Sequence, residues 1–170
     1  NVECFDISHF QGDCSVASCV VFSNKGPDKK LYRSYNIKTD TPGDDYQAIY
    51  QVVFKRYKNH NIPSIILIDG GFGQLKAAKA ALDDLAIFEV AILAVSKGKG
   101  RIVGQEKLNF ISGECVQLEN TNKALHCIQA IRDEAHRYAI KKLRKKLQKK
   151  SLSSTVITIP GVGEKKKQLL

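Results

Sequence analysis

Ile65-Ile66-Leu67-Ile68 is an unbroken apolar run that closes on Asp69 and then on Gly70-Gly71. Apolar residues without alternation suit a strand covered on both faces, the kind found in a parallel or mixed sheet between helices. An unpaired carboxylate is costly inside such a sheet, so Asp69 belongs at its open end. The carboxyl end of a strand is the usual place for a ligand in an α/β sheet, and the glycines let the backbone turn sharply. Ordinary turn chemistry also accounts for Asp-Gly-Gly. A dinucleotide fingerprint fails because Lys76 stands where the third glycine should be, and no window of the chain matches a P-loop.

The rest of the chain agrees with an α/β class. Val2 to Ser8, Ser15 to Ser23 and Leu31 to Lys38 are rich in β-branched, aromatic and Cys residues and are separated by turn signals, which predicts a three-stranded meander. Tyr46, Ile49, Tyr50, Val53, Phe54 and Tyr57 recur at helical spacing. The run at Ile65 gives a fourth strand, Gly73 to Leu85 a second helix and Phe88 to Val95 a fifth strand. Lys107 to Gln117 suits a short hairpin, and a long helix runs from an N-cap at Thr121 towards Lys150. The expected fold is a mixed five-stranded α/β sheet flanked by helices.

A chain of 170 residues with 43% hydrophobic content is long enough for one well-cored domain with a small appendage. Its formal charge of +10 favours a polyanionic partner. No apolar run approaches the roughly 18 residues of a membrane span, and the first residues lack a signal peptide's basic start and apolar core. Five cysteines with no C-x-x-C pair read as buried, reduced thiols in a cytosolic protein.

The acids form a pattern. If the first and fourth predicted strands are neighbours, Asp6 and Asp69 stand side by side, and two close carboxylates call for a divalent cation. Asp44 with Gln47 three residues on resembles a capping box, which leaves Asp45 free to point at a ligand. On the last helix, Leu125, Ile128, Ile131, Ala135, Ala139 and Leu143 share an apolar face, with Arg132 and His136 at its flank. A flank histidine serves as a half-buried spacer, or as a metal ligand or proton carrier where it meets the sheet's carboxylate end. The letters DEAH also occur in helicases, but those need a P-loop.

CFDISH, TPGDDY, LIDGGFGQL, IRDEAHR and IPGVGEKKKQLL, in this order and rough spacing, resemble the C-terminal half of UvrC, the nuclease subunit of bacterial nucleotide excision repair. The resemblance covers essentially the whole chain. It implies an RNase H-like endonuclease domain over residues 1–150 and, over 151–170, a partial helix-hairpin-helix motif for DNA binding. It further implies incision 5′ to a lesion in duplex DNA, Mg²⁺ or Mn²⁺ as cofactor, and a catalytic set of Asp6, Asp69 and His136 with Asp45 as a further acid. Asp6, Asp69 and His136 would be the metal ligands. UvrB, and through it UvrA, would be partners of a longer bacterial, cytoplasmic protein of which this chain is a part. Phe72 and Ile102 stand where the family commonly carries basic residues.

The DNA-binding surface is expected from Arg137, Lys141, Lys142, Arg144 and Lys145 on an acid-free stretch of the last helix. Gly161 and Gly163 of the implied hairpin would offer amides to a phosphate. Lys97, Lys99 and Arg101 form a basic glycine loop that is either a solvated turn or a grip on the DNA backbone. Two other readings of the whole are a non-catalytic module that positions DNA for another nuclease, and a nuclease of RNA or hybrids.

Overall fold

A computed structural model describes the backbone of residues 1–10, 14–37, 44–96 and 106–157, and their side chains except at 10, 14 and 149–157. In chain order the elements are strands β1 (Val2–Phe10), β2 (Cys14–Ser23), β3 (Gly26–Pro27) and β4 (Arg33–Ile37), helix α1 (Asp45–Tyr57), strand β5 (Ile65–Asp69), helix α2 (Phe72–Asp84), strands β6 (Ala91–Ser96), β7 (Lys107–Phe110) and β8 (Cys115–Gln117), and helix α3 (Lys123–Ile157).

The strands form one mixed sheet in the order β3-β2-β1-β5-β6-β7-β8, with β4 also paired to β2. The predicted meander is β1, β2 and β4, antiparallel throughout. The buried run at Ile65 becomes β5, parallel to β1 on one side and to β6 on the other. Among the described residues the sheet has eight strands rather than five, because β3 is a two-residue pairing and the expected hairpin, β7-β8, joins the edge at β6.

Strand alternation divides the core into two layers. Phe5, Ile66 and Ile68 pack with Ile49, Val52 and Val53 of α1 and Leu75, Ala78 and Leu82 of α2. Cys4 and Leu67 face the other way, towards Ile131 and Ala135 of α3. The predicted apolar face of α3 is the buried one, at Leu125, Ile131, Ala135, Ala139 and Leu143, with Ile128 partly buried. That helix begins later than predicted, at Lys123, because Asn122 rather than Thr121 caps it, its side chain accepting from the Ala124 amide at 2.8 Å. It also continues past Lys150 to Ile157. No helix among the described residues is long and apolar enough to cross a membrane.

Phe88 to Val90 were predicted as strand and are not. Helix α2 ends in a left-handed turn, with Ala86 at φ 57° and its amide and that of Ile87 donating to Asp83 and Leu82 carbonyls. This Schellman closure redirects the chain and leaves Phe88 68% exposed. A Cβ is disfavoured in that conformation, so Ala86→Gly is expected to raise the stability to unfolding by about 1 kcal/mol, measured by urea denaturation.

The cysteine expectation needs correction too. Cys4 and Cys19 are buried, but Cys115 on the short strand β8 and Cys127 on α3 are exposed.

Candidate active site

Phe5 and Ile68 are the last residues that β1 and β5 pair with each other, so Asp6, midway along β1, and Asp69, the last residue of β5, follow side by side where that parallel pairing ends. Asp6 is 5% exposed, and Ser8, two residues on and on the same strand face, donates to its Oδ2 at 3.1 Å. Across the antiparallel ladder Asp6 is opposite Ser18. Ser18 is fully buried and its hydroxyl donates to the carbonyl of Ala135 at 3.1 Å, which fastens α3 to the sheet one residue before His136. Tyr32, which donates to Glu134 at 3.1 Å, and Arg132, which donates to buried Glu106 at 2.9 Å, hold the same turns of the helix.

His136 Nδ1 thereby lies 3.6 Å from Asp6 Oδ2. One oxygen from each of Asp6 and Asp69 and one nitrogen of His136 all fall within 4.8 Å of one another. Three of the residues singled out in the sequence are therefore brought together, from β1, β5 and α3.

Burial, and then the charge of Asp6, push the Asp69 carboxyl up to about 7, against the opposing pull of Arg132 and His136. The donor set fits a hard divalent cation: two carboxylates repel each other here without one, and an imidazole accepts a place beside them. In the metal-free protein, Asp69 binds its proton more tightly when folded than at its ordinary 3.8. The contribution of Asp69 to stability is then greatest at low pH and falls as pH rises between these two values, by about 2–4 kcal/mol once screening is allowed for. Thermal melts in chelator across that range should show the fall in wild type relative to Asp69→Asn, and added Mg²⁺ or Mn²⁺ should restore stability above pH 7 in wild type alone.

Asp45 does not join this group. Asp44 caps α1 as expected, accepting from the Gln47 amide at 2.9 Å. Asp45, expected to be free, is bonded through Oδ1 to His9 Nε2, and through Oδ2 it accepts from Gln74 at 3.2 Å. His9 in turn meets Ser15 through Nδ1 at 2.8 Å. His9 lies on the β1 face of Phe5 and Ile7, the α1/α2 side, whereas Asp6 faces α3.

Gln74 gives the first of the two glycines its role. Its Oε1 accepts from the Gly71 amide at 2.7 Å, and a Cβ on Gly70 would stand 1.9 Å from that oxygen. Gly70 leaves room for the side chain that ties the Asp69 loop to Asp45, whereas a Cβ on Gly71 would meet nothing within 4 Å. Phe72 packs on the α1/α2 core with Lys76 Nζ 4.8 Å from its ring centroid.

A model of the UvrC RNase H endonuclease domain matches residues 1–140. The chain belongs to that family. It is 48% identical over 168 residues to the UvrABC system protein C of Psychrobacter sp. (strain PRwf-1), covering 98% of this chain and 27% of that protein. To the same protein of Acinetobacter baylyi it is 47% identical over 167 residues, covering 98% of this chain and 28% of that one. The chain therefore spans little more than a quarter of the length of these relatives. Its fold is shared with human ENDOV, at a TM-score of 0.51 and 13% identity, covering 86% of this chain and 85% of that one.

On this UvrC-family domain the basic stretch of α3 is a solvent-facing ridge. Arg137, Lys141, Arg144 and Lys145, with Ile140, line a shallow cleft of about 320 Å³. Arg137 is held there by two 2.7 Å bonds to Glu134. Lys142 leans on the Tyr138 ring, its Nζ 5.1 Å from the centroid. Lys97, Lys99, Arg101, Gly161 and Gly163 lie outside the described residues.

Sequence reasoning passed over Ser8, His9, Gln74 and the Glu106–Arg132 pair. Period-2 alternation from Asp6 would have placed Ser8 beside it. Nothing local marks the other contacts, which span distant segments.

Proposed function

We propose that this UvrC-family domain is a Mg²⁺- or Mn²⁺-dependent DNA endonuclease that makes the cut 5′ to a lesion in bacterial nucleotide excision repair. The observation that supports this reading best is the convergence of Asp6, Asp69 and His136 where the parallel pairing of β1 and β5 ends. When bound, the cation polarises the scissile phosphate and supplies an activated water. Asp6 and Asp69 would hold it, with Asp6 oriented by the Ser8 hydroxyl. The His136 imidazole would complete the donor set or, left free, carry a proton between solvent and a reacting oxygen. Asp45 enters as a positioning acid, since its bonds to His9 and Gln74 tie the start of α1 to the end of β1 and to the loop after Asp69.

The α3 ridge would grip phosphates, with Lys141, Arg144 and Lys145 exposed along it. In a cytoplasmic setting the full-length protein would receive lesion-bearing duplex DNA from UvrB, loaded by UvrA.

The test uses the full-length protein with those partners on a duplex carrying one lesion, scoring the cuts on either side separately. Wild type in Mg²⁺ or Mn²⁺ should make both cuts, and His136→Ala should lose only the 5′ cut while still binding DNA. Normal 5′ incision by His136→Ala, with the Asp6 and Asp69 variants equally active, would leave the domain as a DNA-holding module.

A further inference from the structure

Tyr46 is the second residue of α1 and is 60% exposed. Exposure alone is unremarkable for a tyrosine. What distinguishes this ring is the surface beneath it. A Cβ at Gly73 would stand 2.6 Å from Tyr46 Cε1, 2.8 Å from Cζ and 2.9 Å from the hydroxyl oxygen. The ring edge therefore rests on bare backbone in the first turn of α2, and a side chain at Gly73 would push the ring out of this seat. Its chain neighbour Asp45 is held on both oxygens, by His9 and by Gln74, and Gln74 is anchored in turn to the Gly71 amide. Tyr46 is thus a large exposed ring fixed in place beside the loop that follows Asp69.

We infer that Tyr46 is a stacking platform for a nucleobase of a nucleotide flanking the scissile phosphate. The inference rests on the nuclease reading above and adds a substrate contact to it. The metal-ligating group faces α3 and Tyr46 stands at the start of α1 and α2, so the two occupy opposite sides of one end of the sheet. A strand laid across that end places its phosphate at the first and a neighbouring base at the second. Every base has a π-face, so such a contact serves any sequence, as a cut positioned by a lesion requires. Lys76, exposed beside Phe72, adds a positive charge on the same side.

The experiment uses the full-length protein with its partners on a lesion-bearing duplex, with 2-aminopurine substituted in turn at each position flanking the 5′ cut. Fluorescence is read in an Asp69→Asn background that binds without cutting, and steady-state incision is read without that change. Wild type and Tyr46→Phe should quench the probe at one position, and Tyr46→Leu should lose the quenching and raise KM by about tenfold or more. Gly73→Ala is the second arm. Alanine favours the helix, so this variant keeps its fold while displacing the ring, and it should behave like Tyr46→Leu. Unchanged quenching and KM in Tyr46→Leu, or no quenching at any position while wild type still cuts, would overturn the platform and leave the nuclease reading intact. Absence of metal-dependent cutting by wild type would overturn both.

Discussion

Asp6→Asn and Asp69→Asn should each slow the 5′ cut by about 10²–10³-fold or more, with little change in DNA affinity. Each removes one of two carboxylates whose oxygens lie with the His136 nitrogen inside a 4.8 Å group. Stabilising transition-state charge by a bound cation is worth several kcal/mol, and each 1.36 kcal/mol is tenfold in rate. Asparagine keeps the shape and one oxygen, so packing around Asp6 in the middle of β1 is preserved. Single-turnover incision at saturating protein isolates the chemical step. A loss confined to the cut 3′ to the lesion would contradict the assignment. Removing Asp45 should act differently, through loosening of the Gly71 loop, and Asp45→Asn should be partly rescued by higher metal concentration while Asp69→Asn is not.

The second large effect concerns stability. Glu3 accepts from Arg56 Nη2 at 2.6 Å and Nε at 2.9 Å and from the Tyr57 hydroxyl at 2.9 Å, all in buried surroundings. Arg56→Ala strands that carboxylate away from water and should cost about 3–5 kcal/mol, lowering the melting temperature by roughly 10 °C. Replacing both partners, as Glu3→Leu with Arg56→Met, should recover part of the loss, because an apolar pair of similar volume leaves no buried charge although the Tyr57 hydroxyl loses its acceptor. A double-mutant cycle from thermal unfolding reads the coupling directly. The pair fastens the last turn of α1 to the start of β1, while Asp45 and His9 fasten the first turn to its end. Arg56→Ala should therefore also reduce incision at temperatures where the fold survives.

Much of this architecture was legible in the chain. The uninterrupted apolar run before Asp69 announced a strand buried on both faces, and the α3 periodicity placed His136 at the flank of the correct face. Adjacency of Asp6 and Asp69 depends on those strands being neighbours, which the parallel register shows. The failures have physical causes. The local sequence shows no partner for Asp45 because His9 and Gln74 lie in other elements, and local periodicity carries no information about such pairs. Phe88 was assigned to a strand on composition, whereas the left-handed turn at Ala86 redirects the backbone before pairing begins. Lys107 to Gln117 read correctly as a hairpin, but nothing in its own residues said that its first strand would pair with β6.

The three candidate ligands come from the beginning, the middle and the later part of the chain. Pairing of β1 with β5 is needed to bring the first two together, and docking of α3 on the sheet brings the third. A nascent chain still emerging from the ribosome therefore carries the aspartates but no assembled centre until α3 has been made and has packed. On the nuclease reading proposed above, a product cut short by premature termination before His136 would lack the 5′ cut, so the order of synthesis itself would withhold that cut from an unfinished domain.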